Sequence, residues 1–192
     1  MRYLLILVLT NSIAFGQDFT WTPGQQRAYA DLQKLKIHSA QQLLAREPTA
    51  SGIRLFLEDY TDMLTLVTLD DYRMFDQLSQ REDTRLDALK QMDDSSPWQR
   101  LIQAEVRLHW AFVKLKFDRE ISASWDVIRA YKLLAENQKR FPHFLPTYKS
   151  LGTLHIMIGS VPDKYVWVAN LLGLHGTIRQ DQQELLRAQQ DT

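Results

Sequence analysis

Cysteine is absent from all 192 residues. No disulfide can staple the chain, no thiolate can attack a substrate or bind zinc, and no lipid can be carried on an N-terminal cysteine. Net charge is absent as well, since 23 Lys and Arg balance 23 Asp and Glu. A neutral chain makes no field that gathers polyanions, so nucleic acid is not expected as a partner. Long apolar runs are missing from the body of the sequence. TLHIMIG and YVWVANLLGL are separated by Ser160, Asp163 and Lys164, and each falls well short of the about 20 residues a spanning helix needs. Buried helices explain them. Nowhere do apolar residues alternate at period two for long, so strands are not expected. There is no glycine-rich phosphate loop, no G-x-S-x-G elbow, no SxxK tetrad and no HExxH pair, which removes the usual signatures of phosphoryl transfer, serine hydrolysis and zinc proteolysis.

What remains is a composition of 45% hydrophobic and 24% charged residues, which suits one folded domain able to bury a core without metal or covalent staples. The first sixteen residues, MRYLLILVLTNSIAFG, have the three parts of an export signal. Arg2 gives the positive start, Leu4 to Leu9 the short apolar run, and Ala14-Phe15-Gly16 the small residues at a cleavage site. We expect a mature chain from Gln17, one unit negative after loss of Arg2, forming a single domain over 17–192. It should be exported, to the periplasm of a double-membrane bacterium or otherwise secreted, with no membrane span in the mature part.

Helix signals fill that part. Thr22-Pro23-Gly24-Gln25 and Ser96-Pro97-Trp98-Gln99 both read as an N-cap hydroxyl, a proline at the first helical position and a glutamine reaching back from the third. Spacings of three and four predict helices over Gln25–Arg46 (ended by Pro48), Gly52–Leu69, Asp70–Met92, Pro97–Phe117, Ile121–Arg140 and Leu145–Ile158, the last closed by Gly159 and Pro162. A final pair is expected over Asp163–Leu172 and Ile178–Ala188. The expected fold class is therefore all-α, with about seven to eight helices.

The stretch RFPHFLPTYKSLG at 140–152 raises the question of a repeat. With Tyr148 on an aromatic position, Leu151-Gly152 take the Leu-Gly positions that follow. Pro142 then closes the preceding unit, and Ala130 is that unit's small second-helix residue. This spacing resembles tetratricopeptide-type helical repeats, which have a period of about 34 residues, over about Trp125 to Gly159. The register departs from the pattern at Phe117-Asp118 and at His155, so the resemblance is to longer hairpins and not to consensus repeats. It implies antiparallel helical hairpins stacked as a right-handed array. AEVRLHWAFVKLKFDREISASWDVIRAYKLL and SVPDKYVWVANLLGLHG also resemble the leading section of larger exported helical-repeat proteins of Bacteroidetes-like bacteria. On that resemblance, which brings no activity with it, DQQELLRAQQDT reads as an interruption of a longer chain.

Few residues invite a chemical reading. Glu105 falls on the apolar stripe of the Pro97–Phe117 helix, where a carboxylate needs a partner or water. His109 one turn on and Arg54 are the candidate partners, either as an internal pair fixing helix register or as an acid–base pair. His38, His143, His155 and His175 show no ligand spacing, and neither a metal nor any other cofactor is expected. Of the tryptophans, Trp98 and Trp125 are expected in the core. Trp110 and Tyr148 are the aromatics to line a groove if one exists, packing being the plainer role for both. Together with Glu105 and His109 they form the candidate binding surface. The leading expectation is an exported, non-catalytic helical-repeat module that binds a protein or peptide. A structural spacer or N-terminal region of a larger envelope protein is the alternative, and an enzyme using Glu105 and His109 the third reading.

Overall fold

The computed structural model describes residues 19–47 and 51–159. Outside them lie the export signal, Pro48, Pro162, the second apolar stretch, Trp167, His175 and the final helix pair. The described chain forms eight helices and, among these residues, no strand. They are α1 (Pro23–Gln33), α2 (Ile37–Leu44), α3 (Gly52–Leu69), α4 (Tyr72–Leu78), α5 (Gln80–Lys90), α6 (Pro97–Lys116), α7 (Glu120–Arg140) and α8 (Leu145–Gly159). The fold is all-α.

Local chemistry accounts for most boundaries. Thr22 and Gln25 complete the expected capping box, with reciprocal bonds of 3.1 and 3.0 Å. Ser96 caps α6 through the Trp98 N–H, but only half of the second box forms. The Gln99 amide turns instead to the Leu89 carbonyl, 3.1 Å away, and ties α6 to the end of α5. Asp71 accepts from the N–H groups of Arg73 and Met74 and so starts α4.

The first expected helix is two. Leu35 sits in the left-handed region at φ 57°. Its N–H bonds to the Leu32 carbonyl while that of Lys36 bonds to Asp31, which is a Schellman stop made without glycine. The chain folds back, and Ser39 of α2 donates to Asp31 at 2.6 Å. Asp118 repeats the same stop after α6, at φ 56°, its N–H bonding to the Leu115 carbonyl and that of Arg119 to Lys114. The expected helix over Asp70–Met92 also divides. Asp70 ends α3 in the left-handed region, and α4 breaks from α5 at Ser79. The Ser79 hydroxyl donates to the Asp76 carbonyl at 3.2 Å, competing with the helical ladder.

Cross-links set the helix directions. Lys114 reaches Glu82 and Gln99 reaches Leu89, so α5 and α6 are antiparallel. Lys114 also reaches Asp126, and Arg100 reaches Glu136, which makes α7 antiparallel to α6. Asp59 with His109, and Asp70 with Lys116, place α3 parallel to α6. Trp98 on Phe144 and Glu105 on Ser150 do the same for α8. Helix α6 is the centre, touching α3, α5, α7 and α8. One apolar cluster, with Leu57, Leu86, Ile102, Val106 and Trp110 among its members, joins α6 to the N-terminal half. A second, with Leu101, Ala104, Ala130, Leu134, Leu151 and Leu154, joins it to α7 and α8. Each fully buried leucine contributes roughly 1.5–3 kcal/mol.

Pro142 lies in the turn between α7 and α8, as the joint reading requires, and Ala130 and Leu151 are buried in the second cluster. The turn is held by Asn137, fully buried, whose amide donates to the Pro97 carbonyl at 2.9 Å and to the Thr147 hydroxyl at 2.8 Å. Trp98 is only partly buried, packing against both clusters from their edge. Trp125 does not pack in the core as expected: it is 51% exposed, with Phe112, Leu115 and Ile121, at the turn end of the α6–α7 hairpin.

Candidate functional site

Buried charge lies along the central helix. Asp59 of α3, 1% exposed, accepts from the Trp110 indole at 2.9 Å, the His109 Nδ1 at 2.8 Å and the Arg85 guanidinium at 3.2 Å. An ionised carboxylate only accepts, so Nδ1 is the protonated ring nitrogen of His109. Arg85 also binds Asp62 at 2.6 Å, and Arg81 completes the group from its exposed side. A second network joins α5, α6 and α7. Lys114 bridges Glu82 at 2.6 Å and Asp126 at 2.5 Å, with Arg107 on the far side of Asp126. Burial pushes the Glu82 carboxyl up to about 7 against the pull of Lys114, and the neighbouring Asp126 charge adds to the rise. Two carboxylates here share one ammonium. Burial also opposes the charge on Lys114, but its bonds to Asp126 and Glu82 hold its pKa above the ordinary lysine value. Both networks tie helices together, and their charges are matched internally.

These networks settle two of the candidate residues. Trp110 is not a groove residue. It is 2% exposed, packed in the core with its N–H spent on Asp59. His109 is not the partner of Glu105, because its Nδ1 is committed to Asp59 and its ring stacks on Tyr60 at 5.2 Å and Phe56 at 5.6 Å. Arg54 is taken too, by Glu58 at 2.7 Å and by the Glu47 carbonyl. Tyr148 is half-buried and donates to the Pro142 carbonyl at 2.9 Å, clamping the α7–α8 turn and standing outside the groove lining. The aromatic and Leu-Gly spacing of the sequence thus marks a joint and not a ligand contact.

Glu105 is the candidate that lies in an open site. It lines a groove of about 590 Å³ between the N-terminal segment, α1, α3, α6 and α8. One wall is aromatic: Trp21 meets Tyr29 edge to face at 5.6 Å, and Phe56 lies beyond them on α3. Trp98, Leu101 and Leu108 of α6 make the middle, and Pro146, Lys149 and Ser150 of α8 the opposite wall. Ser150 donates its hydroxyl to Glu105 Oε1 across the α6–α8 seam. No cation of the described residues pairs with Glu105, and Lys149 stands in the same groove without reaching it.

Trp21, Tyr29 and Phe56 are the functional candidates that sequence reasoning missed. They come from three separate segments, and only the folding of α1 and α3 against α6 puts them beside Glu105. A second cavity, of about 460 Å³ between α2, α3 and α5, holds Arg54, Arg81 and Arg85 with Glu58 and Asp62. There every cation is already paired. No group of three or more metal-ligating side chains occurs among the described residues, and none of their helices is long and apolar enough to cross a membrane. Comparison of the chain with protein-family models, with curated proteins and with solved structures finds no match.

Proposed function

We propose that this chain is an exported, non-catalytic helical-repeat module of tetratricopeptide type that binds a protein or peptide partner along the α1–α3–α6–α8 groove. The observation that carries the reading is the groove itself, which combines several aromatic rings with a few polar groups. That is the make-up of a recognition surface, where large rigid side chains supply area at small entropic cost. Long hairpins that meet at proline-marked turns support the array, because stacked hairpins present extended grooves whose lining is free of structural duty. Export rests on the three-part pattern of residues 1–16. The Glu105–His109 pair on which the enzymatic reading draws gives it no support, since His109 bonds to Asp59 and Glu105 to Ser150.

The test uses the emission of the groove tryptophans, Trp21 and Trp98. The purified chain is titrated with a panel of short end-capped peptides of varied sequence. We expect a saturable shift in emission with some of them, lost in Trp98→Ala and kept in Trp125→Ala. A flat response to the whole panel sinks the proposal.

The spacer reading draws on a different observation. Phe112, Leu115, Ile121 and Trp125 are between 42% and 73% exposed at one end of the α6–α7 hairpin, which suits the docking of a following element in a larger protein. Sedimentation separates the two. A spacer self-associates or precipitates through this end, and Ile121→Gln with Trp125→Gln cures it. A chain that remains monomeric at high concentration removes the support.

A further inference from the structure

We infer that the groove selects a peptide carrying a basic side chain, with Glu105 as the residue that reads the charge. The inference rests on the peptide-binding reading and names its ligand class. Glu105 is a half-buried carboxylate without a cation among the described residues, and its hydrogen-bond partner among them is the neutral hydroxyl of Ser150. Ser150 occupies Oε1, which fixes the carboxylate and leaves its remaining acceptor sites for the groove. A carboxylate held part-way out of water against apolar walls favours an incoming positive charge over a neutral group.

The surroundings suit the same ligand. Trp21, Tyr29, Phe56 and Trp98 all line one cavity, and aromatic rings attract ammonium and guanidinium groups to their faces. An arginine can stack on a ring while its fork engages the carboxylate, so it is the better of the two basic residues. Acidic side chains meet Glu105 as a like charge. Lys149 lines the opposite wall, where it can take a peptide carbonyl and weaken the field that draws the ligand's cation. Its two effects on a basic ligand oppose each other, and the charge effect has the longer reach. A volume of about 590 Å³ is ample for one long side chain and its flanking backbone.

The experiment uses the full chain and three end-capped peptides that differ only at the central residue, which is Arg, Gln or Glu. Binding is read by tryptophan emission and by calorimetry. The arginine peptide should bind roughly tenfold or more tightly than the glutamine peptide, the advantage of one charge-assisted bond, and the advantage should shrink with added salt. Glu105→Gln, which keeps the bond from Ser150, should abolish that advantage. Lys149→Gln should strengthen the arginine peptide. Equal affinity for the Arg and Gln peptides, or an advantage that survives in Glu105→Gln, overturns the inference while leaving peptide binding itself standing. Preference for the Glu peptide, or for a neutral oligosaccharide such as cellohexaose over all three, overturns it as well. Failure of every peptide refutes the proposed function instead.

Discussion

Replacing Asp59 by alanine should damage this protein more than any other single polar substitution in it. Its carboxylate is buried and serves donors from two helices: Arg85 on α5, and His109 and Trp110 on α6. Removing it leaves the Arg85 guanidinium buried with one carboxylate, Asp62, for the charge it carries. Breaking a buried pair costs about 3–5 kcal/mol, and the surviving contact to Asp62 favours the low end. The stranded Trp110 N–H adds about 1–2 kcal/mol. Together these come to about 4 kcal/mol out of the roughly 5–15 kcal/mol that holds a domain folded.

With a urea m-value of about 2 kcal/mol/M, the unfolding midpoint followed by far-UV circular dichroism should fall by about 2 M. Asp59→Asn keeps an acceptor for the indole and Arg85 but loses the charge and the acceptor facing His109 Nδ1, so its loss should be roughly half as large. Trp110→Phe should cost about 1–2 kcal/mol. Asp59→Asn and Trp110→Phe should not add, since each removes part of one contact, and their coupling should be about 1 kcal/mol. A loss below about 1 kcal/mol for Asp59→Ala, with m unchanged, would refute the idea that this carboxylate organises α3, α5 and α6.

The remaining expectations are narrower. Glu82 titrates at about 7 in the fold, because of burial first, against an ordinary 4.5. The folded state therefore holds an extra proton between those values, and stability should decline by on the order of 3 kcal/mol as pH rises through that window, levelling off above it. Glu82→Gln should remove that slope, and a wild-type stability that rises from about pH 5 to about pH 7 more steeply than the variant's contradicts the reasoning. Leu35→Gly should stabilise the chain by up to about 1 kcal/mol in thermal unfolding, because the left-handed Leu35 backbone strains a β-carbon. A loss instead would mean that the entropy of the unfolded glycine outweighs the relief. Asn137→Asp should destabilise more than Asn137→Ala, about 3 against about 2 kcal/mol, since a carboxylate cannot donate to Pro97 and Thr147; the reverse order in denaturant unfolding would show that the two bonds are unimportant.

Much of the fold was legible because its signals are local. The start of α1 is written in Thr22-Pro23-Gly24-Gln25 and that of α6 in Ser96-Pro97-Trp98-Gln99, each within four residues. The α7–α8 joint could be read from Pro142 because proline cannot continue a helix and the small Ala130 admits a close neighbour. The stop at Leu35 was illegible. Neither glycine nor proline marks it, and a leucine enters the left-handed region only because Leu32 and Ala40 are buried on either side of the turn. Glu105 was recognisable as an anomaly on an apolar stripe, but its true partner, Ser150, is 45 residues away, beyond any helical spacing.

The chain by itself determined that it would be helical, where most helices begin, and that a carboxylate would need an explanation on α6. The tertiary structure alone decided that Trp110 is inside and Trp125 outside, that His109 answers Asp59, and that four aromatic residues converge beside Glu105. The physical reason lies in α6. A helix with neighbours on four sides has no single apolar stripe, so periodicity cannot tell which of its faces is covered and which is left to line a groove. Only the docking of α3, α5, α7 and α8 assigns them.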